Sequence, residues 1–313
     1  MHASDAVTPA PRLVTTRCPI CGEEGTDREV YPANFDPAAL DSAVFSARRT
    51  PDRLHYRMVR CVRCGLLRSN PILPLEDLSR LYGASHFTYQ REAEFTGKTY
   101  ATYLRRALAG RPWPRSLMEV GCGSGFFLSE AARMGIEEVS GVEPSQEAIE
   151  HAEPRLRDRI RCALYDSETF EAERFDVICA FQVFDHVPDP AGMLRACFRH
   201  LRPGGMVLFI NHDSGALTNR LLGERSPIVD VEHTALYDRS TMRRILEVTG
   251  FTVQQVFGVK NTYPLEYWTR LAPLPSLVKD PLLKALERSR VGELPVSLYA
   301  GNLGAIATKE RPQ

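Results

Sequence analysis

The amino-acid sequence predicts an α/β fold on a largely parallel sheet, preceded by a small metal-binding unit. Three observations carry this. From Ser116 onward, short apolar runs alternate with segments of helical periodicity, the pattern of βαβ units. A glycine loop, Gly121-Cys122-Gly123-Ser124-Gly125, lies between the first such run and a helical segment. Ahead of both stand two Cys-x-x-Cys pairs, Cys18/Cys21 and Cys61/Cys64.

Composition narrows the classes. The chain has 313 residues, 43% hydrophobic and 25% charged, enough for one large domain and a smaller one with a real core. No apolar run approaches the ~18 residues of a membrane span, and Met1 to Pro11 lacks a signal-peptide core. Cytoplasmic residence, where thiols stay reduced, is therefore expected. Thirty-nine Lys+Arg balance thirty-nine Asp+Glu, which excludes a uniformly basic nucleic-acid coat protein. The balance is uneven: residues 1–115 hold 17 basic and 12 acidic side chains, residues 116–313 hold 22 and 27.

Residues 1–70 are expected to form a tail and a loop-rich unit around the cysteines. Each Cys-x-x-Cys offers two thiolates to one tetrahedral ion, with Gly22 or Gly65 next to it to relax the turn. Four ligands leave no open position, so Cys18, Cys21, Cys61 and Cys64 predict a structural zinc, the alternative being four unligated buried thiols or two redox dithiols. Seven arginines and one acid between Arg48 and Arg68 suit a phosphate-bearing acceptor, a carrier-linked one or RNA, or else form a solvated face. Residues 71–115 read as a helical linker or lid. Leu78, Leu81 and Tyr82 share one face, as do Tyr100, Tyr103, Leu104 and Leu108. Tyr82, His86, Phe87 and Tyr89 either close over a site or pack a helix.

Residues 116–313 form the α/β domain. Strands are expected near 116–120, 138–143, 159–163, 175–181, 205–211, 251–259 and 303–308. A helix from Pro190 is capped by Asp189, and a second runs from about Arg239 to Thr249. Residues 261–300 are an insertion rich in Pro, Leu and aromatics, with Tyr263, Tyr267 and Trp268 as a possible wall of an acceptor site. His151 and His200 are expected at the surface, and Cys122, Cys162, Cys179 and Cys197 as small core residues.

The glycine loop opens a helix whose N-terminus favours an electron-rich ligand group. Glu143, in Gly141-Val142-Glu143-Pro144-Ser145 at the next strand's end, is placed to accept both hydroxyls of a ribose. The alternatives are an ordinary βα turn and a capping carboxylate. A dinucleotide fold needs a third glycine where Phe126 stands, and Glu119 would repel a pyrophosphate but suits a cation.

With Glu119-Val-Gly-Cys-Gly-Ser-Gly125, Glu143, Phe175-Asp176-Val-Ile and Leu201-Arg-Pro-Gly-Gly205 in order, residues 116–260 resemble the class I S-adenosylmethionine-dependent methyltransferases. The resemblance implies a Rossmann-like seven-stranded sheet whose last strand is antiparallel. It implies that Gly121, Gly123 and Gly125 hold the methionyl part of the cofactor, and that Glu143, followed by Pro144, holds the ribose. Tyr165-Asp166-Ser167 then lie near the adenine and Phe181-Gln182 border the sulfonium. Asp176, at a strand's start, reads as structural.

Methyl transfer needs positioning and, for a hydroxyl or carbon acceptor, a base. His186, in Phe184-Asp185-His186-Val187-Pro188, and His212 or Asp213, at the end of the following strand, are the candidates, His186 having a structural turn role as its alternative. His233 either lines the acceptor pocket or belongs to a plain loop. The four-cysteine start, with Gly65-Leu66-Leu67 and Asn70-Pro71, is similar to bacterial methyltransferases that begin with a zinc ribbon, sugar C-methyltransferases among them. A sugar or specialised metabolite is the acceptor expected. RNA modification by way of the basic zinc unit, or a non-catalytic docking role, is the alternative.

Overall fold

In the computed structural model, residues 12–36, 54–83, 90–272 and 275–311 are described. In chain order, β1 (Asp27–Tyr31), β2 (Met58–Cys61) and β3 (Leu67–Ser69) precede α1 (Leu75–Gly83) and α2 (Gln90–Ala107). The α/β part then runs β4 (Ser116–Val120), α3 (Phe126–Arg133), β5 (Glu138–Glu143), α4 (Gln146–Glu150), α5 (Pro154–Arg157), β6 (Ile160–Cys162), β7 (Phe175–Phe181), α6 (Pro190–His200), β8 (Leu201–His212) and α7 (Leu217–Leu222). It closes with β9 (Ala235–Leu236), α8 (Arg239–Val248), β10 (Thr252–Pro264), α9 (Leu265–Leu271), α10 (Ser276–Glu287) and β11 (Pro295–Thr308).

Seven strands form the main sheet in the order β10-β11-β8-β7-β4-β5-β6. The core strands pair in parallel, and β11 runs antiparallel to both β8 and β10, as the resemblance implies. Central β4 is buried at every residue, and β7 at all but Asp176, as expected of strands covered on both faces. Asp176 ties the sheet's starting edge together: it accepts from the Arg115 and Ser116 amides, both at 2.9 Å, and from Arg202 at 3.0 Å. α6 begins as expected, with Asp189 accepting from the Gly192 amide at 2.8 Å and Pro190 in the first turn.

Several expectations are revised. The fifth core strand starts at Leu201 rather than 205, because α6 passes directly into it. The ends of the 261–300 insertion prolong the β10–β11 hairpin to the pair Pro264↔Pro295, and α9 and α10 lie between. Tyr263 and Tyr267 are buried against each other, and the Tyr263 hydroxyl is 3.1 Å from Thr96 on α2, so this wall faces a helix. His200 is fully buried rather than at the surface, its ring bonded to the Tyr165 hydroxyl at 2.7 Å and the Ser167 carbonyl at 3.1 Å. Cys162 is exposed, whereas Cys122, Cys179 and Cys197 are in the core. The side chains of Tyr82, His86, Phe87 and Tyr89 lie outside the described residues.

The second sheet has the order β1-β2-β3-β9. Its fourth strand comes from the far side of the chain: Leu67 pairs with Leu236 and Arg68 with Ala235. Cys18, Cys61, Cys64 and Leu66 share one apolar cluster with Phe184, Tyr237 and Met242 of the α/β part. No described helix is long and apolar enough to cross a membrane.

Candidate active site and metal centre

The glycine loop leaves β4 through three residues of positive φ, Gly121 (66°), Gly123 (52°) and Gly125 (69°), a conformation side chains resist. At Gly121 a Cβ would also lie 2.4 Å from Val183 Cγ2. The Glu143 carboxylate accepts the Gly123 amide at 2.9 Å and the Ser145 amide at 3.0 Å, so it ties the loop to the end of β5. Burial pushes this carboxyl up, while the two amides pull it back. Each carboxylate oxygen can accept a second hydrogen bond, which leaves room for a diol.

Two buried polar atoms here have no hydrogen-bond partner, Glu119 Oε2 and Gln182 Oε1. Burial and the neighbouring Glu143 charge push the Glu119 carboxyl well above the usual carboxylate range. Such orphans are costly unless a ligand completes them. Gln182 is also held at φ 57°, in the left-handed region, directly after β7. A cradle of glycines, an acidic pair and an unpaired amide fits a cationic aminoacyl nucleoside such as S-adenosylmethionine.

Other expected cofactor residues are engaged within the protein. The Phe181 ring stacks on Tyr100 at 4.1 Å and meets Phe127 edge-on. Pro144 accepts weakly from the Cys162 thiol. Asp166 closes its own turn, accepting the Glu168 amide at 2.9 Å and the Thr169 hydroxyl at 2.8 Å.

At the same carboxyl edge, three histidines surround one carboxylate. Asp185 is wholly buried, and its Oδ2 accepts from His212 Nδ1 at 2.5 Å. Its Oδ1 has no hydrogen-bond partner and lies 3.8 Å from His186 Nε2. Burial opposes the Asp185 charge, yet the imidazoles of His212, His233 and His186 hold it well below the usual carboxylate range. The His233 ring centroid is 4.6 Å from that of His186 and 4.7 Å from that of His212. Donor atoms of Asp185, His212 and His233 lie within 4.8 Å of one another. The 2.5 Å contact is a charge-assisted hydrogen bond from the imidazole to the buried carboxylate.

His212 therefore donates from Nδ1, and its neutral form would offer a lone pair on Nε2, the arrangement of a base oriented by a carboxylate. Asp213, the other candidate for this role, is used elsewhere: it accepts the Tyr299 hydroxyl at 2.8 Å and the Gly215 amide at 2.9 Å. The orienting carboxylate is Asp185. It stands beside the chosen His186, but nothing in the local pattern says that β8 ends opposite it.

The four cysteines converge. Cys18 and Cys64 Sγ are 3.4 Å apart, Cys21 and Cys61 Sγ 3.5 Å, and all four lie within 4.8 Å. A tetrahedral ion with bonds of ~2.3 Å needs sulfurs about 3.8 Å apart, so the set fits with small adjustment. Both knuckles turn alike: the Gly22 amide bonds to the Cys18 carbonyl and the Gly65 amide to that of Cys61, each at 2.9 Å. Among the described residues, three arginines of the 48–68 cluster pair with acids. Arg57 bonds Glu29, Arg63 bonds Glu23, and buried Arg68 bonds Asp27.

A model of the methyltransferase domain matches residues 89–256, more than half of the chain. The chain belongs to the methyltransferase-domain family. This methyltransferase is 29% identical over 219 residues to a ubiquinone biosynthesis O-methyltransferase of Pseudomonas fluorescens, covering 63% of the chain and 91% of that protein. A protein of the same name from Serratia proteamaculans is 31% identical over 170 residues, covering 51% of the chain and 68% of its own length. Among solved structures, a SAM-dependent methyltransferase of Archaeoglobus fulgidus superposes with a TM-score of 0.46 at 19% identity, over 70% of this chain and 97% of that one. S-adenosylmethionine is thus the methyl donor that the family and the glycine cradle point to.

Proposed function

We propose that this methyltransferase methylates a hydroxyl of a small-molecule acceptor, with His212 as the base and Asp185 as its orienting partner. The observation that carries it is the His212 Nδ1–Asp185 Oδ2 bond of 2.5 Å at the carboxyl edge of the sheet, where ligands of such folds bind. When bound, the sulfonium cofactor supplies an already activated methyl group. Gly121, Gly123 and Gly125 leave space for its aminoacyl part, Glu119 meets its ammonium, and Glu143 accepts its ribose hydroxyls. His212 Nε2 takes the acceptor's proton as the oxygen attacks, and Asp185 stabilises the imidazolium that results. Names given to relatives favour oxygen as the attacked atom. Cys18, Cys21, Cys61 and Cys64 hold a structural zinc, and the pairing of Arg57, Arg63 and Arg68 with acids weighs against RNA as the substrate.

The test is methyl transfer from radiolabelled S-adenosylmethionine to a panel of hydroxylated aromatics, sugars and bulk RNA. Label in a small molecule, lost in His212→Ala, supports the proposal. Label in RNA alone overturns it.

A further inference from the structure

We propose that His233 is a second acceptor-binding residue of this methyltransferase: its Nε2 accepts a hydrogen bond from the acceptor beside His212, and strand β3 of the cysteine unit holds it there. This rests on the assignment of Asp185–His212 as the proton-accepting pair.

The tautomer follows from the hydrogen bonds. His233 Nδ1 lies 2.9 Å from the Ile228 carbonyl, which can only accept, so Nδ1 carries the proton. The residue is 6% exposed, and burial with the nearby His186 and His212 disfavours a second proton. Nε2 is then a lone pair, and among the described residues it has no hydrogen-bond partner. His212 is arranged in the same way, with Nδ1 on Asp185. Two imidazoles with centroids 4.7 Å apart thus each commit Nδ1 to the protein and keep Nε2 for something else.

The backbone around His233 is fastened on both sides. On the cysteine-unit side, the Ser69 hydroxyl donates to the His233 carbonyl at 3.0 Å and the Ser69 amide to the Thr234 carbonyl at 2.9 Å. On the other, the Thr234 amide donates to the Asp185 carbonyl and its hydroxyl to the Val187 carbonyl, both at 2.8 Å. The pairing of β3 with β9 continues the seam. Main-chain groups satisfied so completely, around a ring whose second nitrogen is not, match a ligand-binding side chain held by rigid elements. The cysteine unit is then a splint for the acceptor site.

The zinc-loaded full chain, saturated with S-adenosylhomocysteine, would be titrated with catechol, whose two hydroxyls can each donate to one imidazole, and followed by long-range 1H–15N spectra of the imidazoles. The expected result is a saturable shift of Nε2 in both His212 and His233. His233→Asn keeps a donor for Ile228 but lacks the second nitrogen, and should weaken catechol binding about tenfold at unchanged cofactor affinity. His233→Gln, with an amide oxygen near the Nε2 position, should recover part of that loss. A shift at His212 alone overturns the role of His233 and leaves the base intact. Equal melting losses in both variants with unchanged catechol affinity make His233 merely structural. No shift at either histidine overturns the base assignment as well.

Discussion

The two sheets of this protein are stabilised in different ways. The seven-stranded sheet is held by apolar burial: Leu117, Met118, Ile178, Cys179, Leu208 and Phe209 are fully buried in its central strands. The four-stranded sheet has strands of five, four, three and two residues and only a small apolar cluster, Met58, Leu67 and Leu236 with Ile228 and Val229, beside the thiol cluster. The nucleoside cradle belongs wholly to the first sheet. The histidine cluster belongs to both, since Asp185, His186 and His212 come from the first and His233 from the strap that completes the second. Cofactor binding and acceptor chemistry should therefore respond to different perturbations.

Loss of the zinc proposed at the four cysteines should be the largest of these. A structural zinc contributes on the order of 10 kcal/mol to folding its unit. Stripping it with a strong chelator, or Cys64→Ser, should abolish acceptor methylation while calorimetry still finds S-adenosylmethionine bound within a few-fold of its original affinity. Cofactor affinity that collapses in step with zinc content would make the two sheets one cooperative unit and end the comparison.

Next comes the proposed base. His212→Ala should lower kcat by about 10²–10⁴, and Asp185→Asn, whose amide offers a donor to Nδ1, should lower it comparably. Both should leave zinc content and cofactor affinity unchanged, as metal analysis and calorimetry would show. Glu143→Ala should instead weaken S-adenosylmethionine binding about a hundredfold, through loss of charge-assisted hydrogen bonds to the ribose and to the Gly123 amide. A variant that also lost zinc would show coupling across the seam.

The smallest effect concerns pH. Burial holds His233, and likewise His186, below the ordinary histidine range. The unfolded chain takes up a proton at His233 as pH falls through about 6.5, and the folded chain does so only at lower pH. The unfolded state thus binds more protons in that window, and stability falls as pH drops, by at most about 1.4 kcal/mol per pH unit for one such group. Melting curves between pH 7 and 5 should decline less steeply for His233→Asn than for the unsubstituted protein. Parallel curves would show that His233 is protonated alike in both states.

Much of this was legible because it is local. The strand–glycine–helix passage at 116–126, the acidic end of β5, the Asp189 cap and the spacing of the two knuckles are all properties of neighbouring residues. His200 reads as a surface residue along the chain because a polar residue near a helix end looks exposed until the Tyr165 hydroxyl and Ser167 carbonyl are brought to it. Sequence offers Asp213 and not Asp185 because adjacency to His212 is visible along the chain and a contact across 27 residues is not.

By itself, then, the sequence determined the periodicities that make a largely parallel sheet, the glycines that let a ligand approach the main chain, and the four thiols placed to share an ion. Tertiary structure decided which carboxylate orients His212, that Asp213 serves Tyr299 instead, and that residues 235–236 complete the cysteine unit's sheet. The reason is physical: periodicity and turn chemistry act over a few residues, whereas hydrogen-bond partners at a sheet's edge are set by strand order and by where each strand stops.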